Sequence, residues 1–268
     1  MAKSLRGLRP GQWFVIDPDS RFTQFGILPL TDDRYYGFFG SRDCPRRDER
    51  PLALLARDAW GIGRPDLIWP EVSAHPGEAK KRRNLRRGGA ELLVAQSLGV
   101  GGRKTKRLGG AFEDALLELL RKVGFRILLD YGSGEEEARN VARHLAAFSG
   151  STSHLVSPGD GRDKCADLMT IRGTLGSFAS WMAGADVFIG YDSAAAHVAA
   201  AQEVPLIEVF AGAPNDLFRK RWTPYGYGTV CVIPADGRED APRVLGRIEK
   251  ELMEIRERGG RNEPWRWG

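Results

Sequence analysis

From about residue 90 onward, short apolar runs alternate with longer amphipathic stretches, and this alternation constrains the fold more than any other feature of the sequence. The apolar runs at 91–96, 125–130, 186–190 and 205–210 have the length of buried strands. Strands that alternate with helices in this way are typical of βαβ units, whose strands lie parallel in one sheet. We therefore predict an α/β fold in which one Rossmann-like, doubly wound parallel sheet carries helices on both faces.

Helices are predicted where apolar residues recur every three or four positions. Gly124 can end the first of them. Three glutamates open the second, where the positive end of the helix dipole favours acidic side chains. The predicted helices cover 112–123, 135–148, 175–183, 193–202 and 239–258, and two shorter strands are expected near 154–156 and 229–233.

The 268 residues allow one large domain or two small ones. Residues 88–238 are predicted to form a complete Rossmann-like domain, and residues 239–268 a carboxyl-terminal helix and tail. Residues 1–87 differ, because aromatic clusters and turn-rich spacers replace the alternation, and we expect two or three strands and a helix at about 52–60 there. We interpret this first segment as a partial α/β domain followed by a basic linker.

Positive charge is concentrated in one part of the chain. Residues 78–107 hold ten Lys and Arg against two Glu, a local charge of +8, whereas the whole chain carries +5. Such a concentration attracts phosphate groups, anionic lipid or nucleic acid. For the run Lys80 to Arg87, peripheral contact with an anionic membrane and a solvated linker are both open. We expect no nucleic-acid partner, because aromatic residues are not interleaved with this run.

The sequence also predicts a compartment. No apolar stretch reaches the roughly 20 residues that cross a bilayer, and Met1 to Arg6 lack the apolar core of a signal peptide. The cysteines Cys44, Cys165 and Cys231 are odd in number and far apart, which argues against a disulfide framework or a zinc site. We predict a cytoplasmic protein, located at the inner face of the membrane if Lys80 to Arg87 contact lipid.

The loop after the first predicted strand of the sheet, Gly99 to Arg107, combines glycines with four cations. Gly101 is one of the glycines that let backbone amides approach an oxyanion, and Lys106 is one of the cations that neutralise it. Neither the Walker sequence nor the GxGxxG fingerprint is present, since Arg103 and Lys104 occupy glycine positions that these motifs require. A phosphate-binding loop is predicted, with a floppy basic turn as the alternative.

A second loop, Gly190 to Ser193, ends an apolar strand and runs straight into an alanine-rich helix. Small residues leave the first amides of that helix free for a phosphate, which the helix dipole also favours. Ser193 and His197 lie four residues apart and therefore share a helix face. A hydroxyl and an imidazole are thus predicted beside the helix start, with a structural role as the alternative for His197.

Other chemistries find less support. A serine hydrolase would need glycines where Tyr191 and Ala195 stand. The chain has no DxD triplet and its four histidines lack ligand spacing, so no divalent metal is expected. The aromatic and turn-forming residues at 222–226 either wall a ligand cleft or form a packed surface loop.

The stretch from Ala185 to Ala201, followed by Val204-Pro205 and Val209-Phe210-Ala211-Gly212, resembles the carboxyl-terminal half of glycosyltransferase family nine, the ADP-heptose:lipopolysaccharide heptosyltransferases. That half is characterised by a strand, an Asp-Ser/Thr-Gly-x-x-His turn, an alanine-rich helix, a Val-Pro strand and a Phe-Gly loop. Upstream, Gly173-Thr174-Leu175 and Gly132 with three following glutamates resemble further family segments.

The resemblance implies a GT-B-like fold, in which two Rossmann-like halves face a cleft and the carboxyl-terminal half holds the sugar nucleotide. The residues that it assigns to the donor are Asp192, Ser193 and His197 at the diphosphate or donor sugar, Lys106 at a phosphate, Glu136 at the ribose, and Gly173 and Thr174 at the base; Gly101 of the basic loop completes the predicted donor-binding set.

The implied activity is transfer of a heptose-like sugar from a nucleotide sugar, ADP-linked, to a lipopolysaccharide or other glycan acceptor. Such enzymes are similar to inverting transferases that need neither a metal nor another cofactor. Cationic and amide groups stabilise the departing nucleotide diphosphate, while a carboxylate takes the acceptor's proton.

Two departures from the family pattern qualify this expectation. Ala194 stands where the family has glycine, which adds a methyl group where a phosphate should approach. The family's amino-terminal Gly-Asp turn, which carries the base, has no counterpart before Trp13, although residues 17–39 resemble the last part of the amino-terminal half. We expect that half to be incomplete and assign no catalytic residue. A non-catalytic nucleotide-sugar-binding or interaction module is the alternative.

Overall fold

The computed structural model describes residues 15–17, 35–37, 48–59, 92–100, 104–132, 134–155, 166–226, 228 and 230–258. The chain divides into two compact units, one formed by Met1–Ile68 with Lys220–Trp222 and the other by Trp69–Arg219 with Thr223–Gly268.

In the first unit, two short strands pair in parallel, β1 (Val15–Asp17) and β2 (Tyr35–Gly37), with Val15 opposite Tyr35. Helix α1 (Leu52–Ala59) follows and buries Leu55. These described elements agree with the strands and the helix that the sequence predicts for this segment.

In the second unit, the described residues form a sheet of seven parallel strands. The order across the sheet is β5-β6-β4-β3-β7-β8-β9. The strands are β3 (Leu92–Ser97), β4 (Phe125–Asp130), β5 (Thr152–Leu155), β6 (Leu168–Ile171), β7 (Val187–Tyr191), β8 (Leu206–Ala211) and β9 (Val230–Ala235).

Helices lie on both faces of this sheet, so the fold is the doubly wound α/β arrangement that the alternation predicts. Helices α2, α3 and α7 contribute to the hydrophobic cluster on one face, and α4 and α5 to the cluster on the other. The helices are α2 (Gly110–Val123), α3 (Glu135–Ala147), α4 (Leu175–Met182), α5 (Ala194–Ala201), α6 (Asp216–Trp222) and α7 (Ala241–Glu257), with 3-10 turns at Lys104–Lys106 and Arg238–Asp240.

The central strands are apolar on both faces because both are covered. Along β3, Val94 enters the cluster on one face, whereas Leu93 and Ala95 enter the other. This burial explains why the strands appear in the sequence as continuous apolar runs rather than alternating ones. Helix α2 ends as predicted at Gly124, which adopts a left-handed conformation with φ 90°.

Most predicted elements are confirmed to within one or two residues, with two omissions. Strand β6 has only four residues, all buried, and α6 has seven, so neither is long enough to show a clear period in the sequence. The last helix is predicted from residue 239 but begins at Ala241, because Arg238–Asp240 form a 3-10 turn. The domain boundaries at 87/88 and 238/239 remain predictions.

The strand order places a topological switch point at β3, in the middle of the sheet. From β3 the chain adds β4, β5 and β6 on one side and then returns to the other side of β3 to form β7. In open α/β sheets, ligands bind outside the carboxyl ends of the strands at such a switch point. Among the described helices, none has both the length and the apolar character that a membrane crossing needs.

Candidate functional site

Two oppositely charged residues meet at this switch point. Lys106 is the last residue of the 3-10 turn that follows β3, and Asp192 directly follows β7. The Lys106 ammonium donates to the Asp192 carboxylate, and its Nζ lies 3.4 Å from the Asp192 carbonyl oxygen. The two side chains are only 17% and 5% exposed, so breaking the pair would leave a largely buried charge without its partner.

The loop after β8 holds the 3-10 turn from the other side. Gly212 has a φ of 66°, a conformation that side chains other than glycine rarely adopt. A Cβ atom added there would lie 2.7 Å from the carbonyl oxygen of Thr105. Only glycine therefore lets the end of β8 approach the backbone beside Lys106 this closely.

Helix α5 begins at this point, and its first turn carries an unused polar group. Ser193 precedes the helix in the N-cap position, where serine commonly accepts a hydrogen bond from the helix backbone, but its hydroxyl makes no such bond. Its buried Oγ has no hydrogen-bond partner among the described residues. A ligand oxygen placed at the helix start would meet this hydroxyl and the free backbone amides.

His197 lies one turn along the same helix, as the spacing predicts. Burial lowers the pKa of His197, and the positive charge of Lys106 lowers it further against the opposing effect of Asp192. The imidazole is therefore neutral at pH 7. It can form a hydrogen bond to a ligand but adds no charge to the site.

Glu208 of β8 is a second neutral group near the charged pair. It pairs in register with Gly190 of β7, has no exposed surface, and neither carboxyl oxygen has a partner among the described residues. Burial raises the pKa of Glu208 well above the usual value, and the negative charge of Asp192 raises it further. Of these residues, Lys106 is a cation, Asp192 is the anion that neutralises it, and His197 and Glu208 are uncharged.

Two further carboxyl groups lie close together, that of Asp130 at the carboxyl end of β4 and that of Glu137 in the first turn of α3. The Ser97 hydroxyl donates to Asp130 at 3.2 Å, and the Gly132 amide donates to the same carboxyl at 3.1 Å. Burial raises the pKa of Asp130, and the charge of Glu137 adds to that rise. Gly132 has a φ of 83°, and a Cβ atom there would lie 2.5 Å from the Cβ of Glu137.

The other predicted donor residues are distributed over neighbouring strand ends. Glu136 is exposed on the first turn of α3, and its charge reaches Arg107. Gly173 and Thr174 follow β6, and the Thr174 hydroxyl caps α4 by accepting a hydrogen bond from the Ser177 amide at 3.2 Å. Their assignments to ribose and base stay predictions. Gly101 lies outside the described residues.

In the structure, the segment 222–226 fits a packed surface loop better than the wall of a ligand cleft. Pro224 and Gly226 are buried. A Cβ atom on Gly226 would lie 2.2 Å from the carbonyl oxygen of Ala200, near the carboxyl end of α5. This part of the loop therefore packs against the opposite end of the helix from Ser193.

Sequence reasoning missed three acidic residues around the site, namely Glu113, Asp130 and Glu208. Glu208 gave the clearest signal, since it is the one charged residue inside the apolar run Leu206–Ala211. Within the part of the chain that the structure describes, no three His, Cys, Asp or Glu side chains form a group able to hold a metal ion. The expectation of metal-independent chemistry stays a prediction.

The sequence matches the model of glycosyltransferase family 9, described as heptosyltransferase, over residues 103–239. This span is more than half of the chain and contains Lys106, Asp192 and His197. A comparison with curated proteins finds no match.

Solved structures with a similar fold include two heptosyltransferases of Escherichia coli. WaaC, solved with ADP, is 18% identical with a TM-score of 0.58, and the match covers 97% of this chain and 76% of WaaC. ADP-heptose lipopolysaccharide heptosyltransferase II is 17% identical with a TM-score of 0.58, over 91% of this chain and 76% of that enzyme. A family 9 glycosyltransferase from Veillonella parvula is 13% identical with a TM-score of 0.56; the match covers 88% of this chain but only 64% of that protein.

Proposed function

The chain belongs to glycosyltransferase family 9, and on that basis we propose that it transfers a heptose-like sugar from a nucleotide-sugar donor to a lipopolysaccharide core or another glycan. Its fold is that of the GT-B heptosyltransferases. One of them, WaaC, is described in complexes with ADP and with ADP-2-deoxy-2-fluoro heptose, which supports an ADP-linked donor here.

The observation that carries the proposal is the meeting of Lys106 with the start of α5 at the switch point of the sheet. A diphosphate placed there would accept hydrogen bonds from the first amides of α5, whose dipole favours an anion. It would also satisfy the buried Ser193 hydroxyl and replace Asp192 as the partner of Lys106. A single cation in a nearly water-free setting stabilises a phosphate oxygen far more than it would in bulk water.

The same arrangement would stabilise the departing diphosphate during transfer. Negative charge accumulates on the leaving group as the bond to the sugar breaks, and groups already oriented towards it lower the barrier. In this proposal Lys106 and the helix amides supply that stabilisation without a metal, and transfer occurs with inversion. A carboxylate takes the acceptor's proton, and no described residue is assigned that role.

Calorimetry with ADP tests the donor site. We expect the parent protein to bind ADP, and Lys106→Ala and His197→Ala to bind it more weakly. Lys122→Ala removes an exposed lysine on α2 and serves as the matched control, with unchanged affinity. Absence of ADP binding by the parent, or equal affinity in all four proteins, would reject the donor site.

Turnover distinguishes the enzyme from the alternative. Transfer from an ADP-sugar to a lipopolysaccharide core acceptor supports the glycosyltransferase, whereas ADP binding without turnover supports a non-catalytic nucleotide-sugar-binding module. Contact of Lys80 to Arg87 with an anionic membrane is part of the proposal and lies outside the described residues. Co-sedimentation with anionic vesicles, lost when these residues are neutralised, would support it.

A further inference from the structure

Glu113, in the first turn of α2, is a fully buried carboxylate that receives hydrogen bonds from three different segments of the chain. Arg107 donates from Nε to Oε1 at 2.8 Å and from Nη2 to Oε2. Nε2 of His144 in α3 lies 2.7 Å from Oε2, and it must be the donor because an ionised carboxylate only accepts. The Tyr191 hydroxyl donates to Oε1 at 3.2 Å. We call these four residues the Glu113 cluster.

Two members of the Glu113 cluster are immediate neighbours of the charged residues in the donor site. Arg107 follows Lys106, and Tyr191 precedes Asp192. The Tyr191 hydroxyl also accepts a hydrogen bond from the Leu108 amide at 3.2 Å. The segment after the 3-10 turn is therefore fastened to the end of β7 twice, directly through Tyr191 and indirectly through Glu113.

The cluster is held by charge as well as by geometry. Burial alone would raise the pKa of Glu113, but hydrogen bonds from His144 and Arg107 outweigh it and lower the pKa to about 2. The side chains of Glu113 and His144 have no exposed surface, and that of Arg107 is 16% exposed. A buried charge that loses its partner is strongly unfavourable, so the cluster strongly favours one arrangement.

We propose that Glu113 is a positioning residue of the donor site: through Arg107 and Tyr191 it fixes the geometry in which Lys106 meets Asp192 and, when a nucleotide binds, the diphosphate. The inference rests on the proposed function. Glu113 lies behind the site and acts on the ligand only through its neighbours.

Two substitutions test the proposal, one that removes the charge of Glu113 and a milder one that removes the Tyr191 hydroxyl. Glu113→Gln keeps the shape of the side chain but removes its charge, and the affinity for ADP is expected to fall by about 10-fold. Tyr191→Phe removes both hydrogen bonds of the Tyr191 hydroxyl, the one to Glu113 and the one from the Leu108 amide, and is expected to weaken ADP binding by about threefold. If Glu113→Gln fails to fold, Tyr191→Phe carries the test. Glu249→Gln, at an exposed position of α7, is the control and should bind ADP like the parent.

A double-mutant cycle with Lys106→Met distinguishes positioning from a general loss of stability. If Glu113 places Lys106, the loss of ADP affinity caused by Lys106→Met is smaller than in the parent, by up to about 10-fold in the Glu113→Gln background and by up to about threefold in the Tyr191→Phe background. Equal losses in parent and variant backgrounds, measured below the unfolding temperature of each protein, would overturn the proposal.

A measurement without nucleotide separates this inference from the proposed function. The NMR resonance of the Lys106 ammonium, assigned by its absence in Lys106→Met, reports on the pair with Asp192. We expect it to move towards the position of a free lysine in Glu113→Gln and, less far, in Tyr191→Phe. If it moves while the parent binds no ADP, the donor site is wrong and the positioning role stands. If it does not move in either variant, the positioning role is refuted whatever the parent binds.

Discussion

Removing the Lys106 ammonium should reduce the free energy of ADP binding by more than one hydrogen bond contributes, because the negative charge of Asp192 then has no cation beside it to balance it. In Lys106→Met the ligand loses a charge-assisted hydrogen bond worth about 1.5–3 kcal/mol. The Asp192 side chain, 5% exposed, is then an unpaired anion at the place where we propose that the diphosphate binds. At a separation of roughly 6 Å and an effective dielectric constant of about 20, two unit charges repel by about 3 kcal/mol.

The two contributions together predict an affinity for ADP that is roughly 10³–10⁴-fold weaker in Lys106→Met than in the parent. The double variant Lys106→Met/Asp192→Asn removes the repulsion as well, so only the first contribution remains. It should bind ADP roughly 10–150-fold more weakly than the parent, and hence more tightly than the single variant. Asp192→Asn alone frees Lys106 and should bind ADP at least as tightly as the parent.

Calorimetry on the four proteins provides the measurement, and thermal unfolding provides a check on folding. Breaking a largely buried pair destabilises a protein, so the unfolding midpoint of Lys106→Met should drop and partly recover in the double variant. ADP lacks the sugar that is transferred, so a contact between Asp192 and the donor sugar does not enter the comparison. If the double variant binds ADP no better than Lys106→Met, Asp192 does not compete with the diphosphate and the reasoning fails.

Three further predictions concern the surroundings of the site. Gly212→Ala puts a Cβ atom 2.7 Å from the Thr105 carbonyl oxygen at a positive φ. It should lower the free energy of unfolding, measured in denaturant titrations, by at least about 1–2 kcal/mol and should weaken ADP binding. Gly246→Ala lies in open space on α7 and should instead raise the free energy of unfolding by about 0.5–1 kcal/mol. Burial raises the pKa of Glu208 well above the usual value. The folded protein therefore loses stability as the pH rises above the pKa that this glutamate has in the unfolded chain. Glu208→Gln should unfold at a higher temperature than the parent at pH 8 but not at pH 4. Burial would lower the pKa of His144, but hydrogen bonds to Glu113 and Asp114 raise it. The protonated imidazole therefore contributes fully to the stability of the fold below about pH 6.5, and this contribution disappears as the pH rises through the folded-state pKa. His144→Gln should lower the unfolding temperature more at pH 6 than at pH 9, and equal effects would contradict this.

The fold could be predicted from the sequence because its signal is local and repeated. The central strands of the sheet are covered on both faces, so runs such as that of β4 (Phe125–Asp130) appear as apolar blocks, and the helices between them show a period of three to four. Gly124 ends α2 for a reason confined to its own backbone. The four-residue strand β6 was not predicted, because so short an apolar block shows no periodicity.

The candidate site could be predicted only in part. The sequence predicts the start of α5 and a basic loop after β3, since small residues and cations in a row indicate them directly. It could not show that Lys106 is already paired with Asp192, because 86 residues separate them. Glu208 is the one charged residue of the apolar run Leu206–Ala211, but only the structure shows that its buried carboxyl has no partner among the described residues and is neutral beside the pair.

The sequence by itself determined the α/β class, the order of most elements and the stretch of chain for which a phosphate site is proposed, because these depend on spacing between residues that are near in the chain. The tertiary structure decided which charges face one another. It joined Lys106 to Asp192 across the switch point and placed Glu113 between Arg107, His144 and Tyr191. Charge state and partner follow from burial and from contacts between distant segments, and both arise only when the sheet has brought those segments together.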